Sequence, residues 1–135
     1  MRKFLIMQTK YYKTALAEIK SGEKKTHWIW FIFPQLRGLG VSEMSYKYGL
    51  QNLDEAKKYF ENEKLRKNLL EITTELYALK KRNISEIVGE IDAIKIQACM
   101  TLFYCATREM LFRKVLDKYY GGEFHAKTVK KLYKF

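Results

Sequence analysis

Thr26-His27-Trp28-Ile29-Trp30-Phe31-Ile32-Phe33 is the stretch on which the fold class turns. It is apolar on every side from Trp28 onward and stops at Pro34, a pattern that suits either a buried strand or a buried helix. A strand must pair, and independent stability takes three or more strands or cover from a helix. No second strand-like run occurs in the chain. The segment is therefore expected to be a short helix, and the fold all-α.

Working outward supports this. Before it, Phe4, Met7, Tyr11, Tyr12, Ala15, Leu16 and Ile19 form a helical stripe over 4–20, closed by Ser21-Gly22, where glycine suits a left-handed cap. After it, residues 34–49 carry Pro34, Gly38, Gly40 and Gly49 in one long irregular segment. Leu36, Leu39, Val41, Met44, Tyr46 and Tyr48 give that segment material to pack down, so an ordered loop is expected. Asn52 with Glu55 reads as a capping box opening a helix to about residue 60. A further helix over 63–79 places Leu65, Leu69, Ile72, Leu76 and Leu79 on one side. Asn83 with Glu86 starts a short helix before Gly89. Asp92 is read as the cap of a helix to about residue 106, which is apolar nearly all round from Ala98 and so expected at the centre. Thr107 is read as the next cap, for a helix ended by Gly121-Gly122, and a last helix holds Val129, Leu132 and Tyr133. The expected architecture is a single compact multi-helix domain over 1–135 with one long ordered glycine-containing loop.

Composition agrees. A chain of 135 residues, 47% hydrophobic and 30% charged with one proline, is globular and needs no staple to hold a core. Cys99 and Cys105 stand six apart, on separate faces of a helix, and read as two reduced thiols in an apolar run. The longest apolar run, Trp28 to Phe33, is far short of the roughly 20 residues that cross a bilayer, and Met1 to Lys10 lacks a secretory apolar core. A soluble, cytoplasmic protein with no membrane association is expected. The net charge of +11 attracts anionic partners, but its lysines are dispersed: Lys24-Lys25, Lys57-Lys58, Arg66-Lys67, Lys80-Lys81-Arg82 and Lys130-Lys131.

Chemistry concentrates in a few residues. His27 sits beside Trp28 and Trp30, with Gln35 and Arg37 just beyond: aromatic faces with polar groups to read a ring's edge. The alternative is a tryptophan-filled core with a locally satisfied histidine. Gly38-Leu39-Gly40-Val41-Ser42 can cradle an anion on backbone amides, although it matches neither a Walker loop nor a dinucleotide fingerprint; a plain tight turn explains it equally. Lys95, early in the most apolar helix, opposes the helix dipole, so it either pairs with Asp92 or faces a pocket. His27 and His125 form no HExxH pattern and no CxxC occurs, so no metal site is expected. No nucleophile triad can be read, and the residues name neither a cofactor nor a reaction.

Gln8, Tyr12 to Leu16, the string His27-Trp28-Ile29-Trp30-Phe31-Ile32-Phe33-Pro34-Gln35-Leu36, Gly38-Leu39-Gly40 with Ser42, and Tyr48-Gly49 together resemble the family known as domain of unknown function 1810. Asp92, Lys95, Met100 to Phe103, Asp117 and Tyr119 to Gly122 extend the resemblance over essentially the whole chain. It implies a small, mostly helical fold and supplies no activity. Members are sometimes labelled calpastatin, but those inhibitors are disordered and poor in aromatics, whereas this chain is 15% aromatic; the label is rejected. The family pattern favours a basic residue at 97 and small hydroxyl residues at 98 and 99. Gln97, Ala98 and Cys99 depart from it, and Lys95 does not.

Two functional readings follow. In the first, the chain binds a small anionic ligand, nucleotide-like or phosphorylated, at a site built from His27, Trp28, Trp30, Gln35, Arg37, Gly38, Gly40, Ser42, Tyr48 and Lys95. There His27, Gln35 and Lys95 are expected to converge on one cavity beside the glycine loop. In the second, it is a non-catalytic module that binds nucleic acid or an acidic protein through its basic surface.

Overall fold

The computed structural model describes residues 1–81 and 83–134; Arg82 of the basic cluster at 80–82 lies outside them. Among the described residues the helices run α1 (Arg2–Ser21), α2 (Ile29–Ile32), α3 (Glu43–Tyr48), α4 (Leu53–Glu61), α5 (Glu63–Ala78), α6 (Ile84–Val88), α7 (Glu90–Thr107), α8 (Met110–Tyr120) and α9 (Ala126–Tyr133). No strand occurs among them, only an isolated parallel bridge between Leu36 and Leu50. The fold is all-α, and the aromatic run at 28–33 is the short helix α2 with its flanks.

The centre is α7. Ile96, Ala98, Cys99, Met100, Thr101, Leu102 and Phe103 are all fully buried. A helix without a polar face is stable in water only when neighbours cover it, and α4, α6, α8 and α9 pack on it. Its one polar core residue is satisfied: the Thr101 hydroxyl donates to the Gln97 carbonyl at 2.8 Å and accepts from the His125 N–H at 2.9 Å. A chain of rings ties the helices together, from Phe31 to Tyr48 (5.4 Å between centroids), Tyr48 to Phe4 (5.7 Å), Phe4 to Tyr59 (5.1 Å), Tyr59 to Phe103 (5.3 Å) and Phe103 to Phe112 (5.9 Å). Such tilted and edge-on pairs each add about 0.5–1.5 kcal/mol beyond burial.

One buried amide fixes how α1, α2, α4 and α5 meet. Gln8 Nε2 donates to the Phe31 carbonyl at 2.8 Å and to the Tyr59 hydroxyl at 2.9 Å, while Asn68 Nδ2 donates to Gln8 Oε1 at 2.9 Å. The amide spends both donors and accepts once, which removes the cost of burying it.

Three boundaries differ from expectation. The segment 34–49 contains the six-residue helix α3, because Ser42 Oγ caps the Ser45 N–H at 3.1 Å. The loop is closed by hydrogen bonds from Arg37 N to Leu50 O (2.8 Å) and Leu50 N to Gln35 O (2.9 Å). A side chain at Gly49 would begin 2.5 Å from Arg37 Cα, so only glycine lets these two strips of backbone approach. Second, Asp92 is not a cap: α7 starts at Glu90 after Gly89, whose φ of 87° turns the chain straight out of α6. Third, α8 is capped by the Glu109 carboxylate accepting from Leu111 N at 3.2 Å, while Thr107 Oγ1 accepts one step earlier, from Glu109 N at 3.1 Å. No helix among the described residues is long and apolar enough to cross a membrane.

Candidate functional site

Glu18, in the last turn of α1, organises the loop that leads into the aromatic run. Its carboxylate accepts from Lys25 N (2.8 Å), Thr26 N (3.0 Å), Thr26 Oγ1 (2.7 Å) and Trp28 Nε1 (2.9 Å). Desolvation alone raises a carboxyl pKa, but here the donors from Thr26, Lys25 and Trp28 outweigh it and hold Glu18 at about 2. The same loop is stitched to the α6–α7 corner by Lys24 N donating to Ile87 O at 2.7 Å.

These ties bring the loop against the first turns of α7, and an open cavity of about 580 Å3 lies between them. His27, Trp30 and Lys95 line it, with Lys24, Lys25, Gly89, Glu90 and Asp92. Asp92 is shared by two ammonium groups, Lys24 at 2.9 Å and Lys95 at 3.5 Å. The Lys24 side chain is only 7% exposed and needs a counter-charge; it also donates to the Thr26 carbonyl at 2.5 Å. Lys95 Nζ stands 5.3 Å from the centre of the Trp30 ring, within cation–π range. Lys95 thus both pairs with Asp92 and faces the cavity. The Trp30 indole N–H is buried and meets no acceptor among the described residues, a state that costs about 1–3 kcal/mol. Ile29, Val88 and Ile91 supply apolar wall.

The remaining candidates lie elsewhere. Trp28 is fully buried, its indole N–H committed to Glu18 and its ring 4.8 Å from Lys24 Nζ. Gln35 is buried, contributes its carbonyl to the Leu50 bridge, and does not line the cavity of His27 and Lys95. Tyr48 is part of the aromatic core. Ser42 caps α3, and Gly40 makes room for Ser45, whose hydroxyl oxygen would lie 2.6 Å from a Cβ at that position. Arg37 and Gly38 line a separate cavity of about 860 Å3 with Gln51, Asp54, Lys131 and Lys134. His27 and Lys95 therefore share a cavity; Gln35 and the glycine loop are not part of it. Sequence reasoning missed Lys24, Glu18 and the role of Gly89. Only the contacts between α1, its following loop and α7 reveal them, and no local spacing signals such contacts.

Comparison with curated proteins finds no match. Among solved structures, the crystal structure of the conserved hypothetical protein Rv1873 from Mycobacterium tuberculosis is similar over 97% of this chain and 94% of its own, at 39% identity and a TM-score of 0.95. A family model described as protein of unknown function (DUF1810) matches residues 1–132. With the helical architecture, the His27–Leu36 string and that match over residues 1–132 together, the chain belongs to the DUF1810 family of proteins of unknown function.

Proposed function

We propose that the cavity between the 24–30 segment and the start of α7 binds a small molecule with an anionic group, phosphorylated or nucleotide-like. The observation that carries this reading is the pair of ammonium groups, Lys24 and Lys95, converging on the single carboxylate of Asp92. One carboxylate neutralises one of them. Counting Lys25 and Glu90 as well, the lining holds three lysines against two acids, with His27 beside them. An anionic oxygen reaching Lys95 supplies the missing counter-charge, and Trp30 beside it offers an apolar face. The free thiols Cys99 and Cys105 suit a reducing compartment such as the cytoplasm, where phosphorylated metabolites are abundant.

A thermal-shift series with AMP, ATP, glucose 6-phosphate and inorganic phosphate tests this. A ligand present at 100 times its Kd stabilises the native state by about 2.7 kcal/mol, which reads as several degrees in Tm. At least one phosphorylated compound is expected to raise Tm, and Lys95→Gln, which leaves the Lys24–Asp92 pair in place, is expected to abolish the shift. No shift with any of them, or a shift that Lys95→Gln leaves intact, overturns the reading.

A further inference from the structure

We infer that a second, separate surface of this protein, running from the start of α1 over α3 to α9, binds single-stranded nucleic acid. The surface is continuous through contacts. Lys3 Nζ donates to the Lys47 carbonyl at 2.6 Å, which sets the start of α1 against the end of α3. Tyr46, next to Lys47, is 67% exposed. Arg37 lies over it, with its guanidinium 4.4 Å from the ring centre and Nε donating to the Tyr46 carbonyl at 2.9 Å. Arg37 then shares the 860 Å3 cavity with Lys131 and Lys134 of the α9 end. Gly38 makes that junction: its φ is 93°, and a Cβ there would stand 2.8 Å from Lys131 Nζ, so a bare backbone receives the ammonium.

The charge along this path is one-sided. Against Lys3, Lys47, Arg37, Lys131 and Lys134, α3 carries Glu43, the cavity lining carries Asp54 and α1 carries Glu18 near its far end, while α9 carries no acid. Past Glu123 the sequence has no acidic residue, and Lys127 and Lys130 extend the positive charge along α9. A row of cations alone suits any polyanion. The exposed tyrosine with a guanidinium on one face of its ring narrows the choice. Bases stack on aromatics in single strands, while lysine and arginine follow the phosphates, and a duplex buries its base faces. The anion cavity of Lys24 and Lys95 shares no lining residue with this surface.

Fluorescence anisotropy with labelled oligo-dT and oligo-rU twelve-mers tests the inference on the full chain. Binding at 50 mM salt is expected, with a log–log salt slope of roughly −3, from about four phosphate contacts at about 0.7 each. Lys131→Gln is expected to flatten the slope by about 0.7. Tyr46→Ala is expected to weaken binding roughly tenfold with the slope unchanged. Lys95→Gln should leave both unaffected, which separates this surface from the other cavity. Absence of binding at low salt overturns the inference. So does Tyr46-independent binding in which inorganic polyphosphate competes as well as the oligonucleotides, since the partner is then a polyanion without bases.

Discussion

Glu18 shows how much one side chain can organise. Four donors from Lys25, Thr26 and Trp28 converge on its carboxylate, and through them the loop, the buried indole of Trp28 and the cavity wall take their places. Glu18→Gln keeps the size but leaves a neutral oxygen and adds an N–H that faces other donors. It is expected to lower stability by about 1–2 kcal/mol, modest because the group is only partly buried. Urea titration at pH 7 measures this. The native pKa lies at about 2, below the ordinary 4.5, so the unfolded chain takes up the proton first as the pH falls. The stabilisation is full above pH 4.5 and is lost between there and about 2. Glu18→Gln should remove that part of the acid-induced loss.

Among the elements, α7 carries both the core and one wall of the cavity, and its entry from α6 depends on Gly89. That residue has φ 87° and ψ 160°, and nothing stands within 4 Å of a Cβ placed there. Gly89→Ala is therefore a test of backbone strain without a clash. It is expected to cost about 1–3 kcal/mol, read as a lower midpoint in thermal or urea unfolding at unchanged slope. The same corner explains why Asp92 reads as a cap in the sequence and is not one in the structure. Aspartate is favoured both at the cap and within the first turn. The positive φ of Gly89 moves the helix start back to Glu90 and frees the carboxylate for Lys24 and Lys95. Where capping is settled by neighbours in sequence, as at Asn52, Asn62 and Asn83, the side chain accepts from the helix's first turn. The helices at Asn52 and Asn83 were legible from the chain alone for that reason.

At the scale of the molecule, the aromatic chain through Phe4, Tyr59, Phe103 and Phe112 joins α1, α4, α7 and α8. Phe103 is fully buried and touches three other rings. Phe103→Ala is expected to cost about 3–5 kcal/mol, measured by urea unfolding, because the surrounding helices cannot close over the cavity. The sequence by itself determined the helices other than α3, the central place of α7 and the excess of basic charge. These follow from periodicity, capping and composition, which act between residues near in the chain. Only the tertiary structure decided which polar residues meet. It brought Lys24 to Asp92, placed His27 and Lys95 on one cavity, sent Gln35 into the Leu50 bridge, and set Lys131 against Gly38. Each of those contacts depends on how whole helices dock, and docking is set by the summed shape of the buried faces rather than by any spacing along the chain.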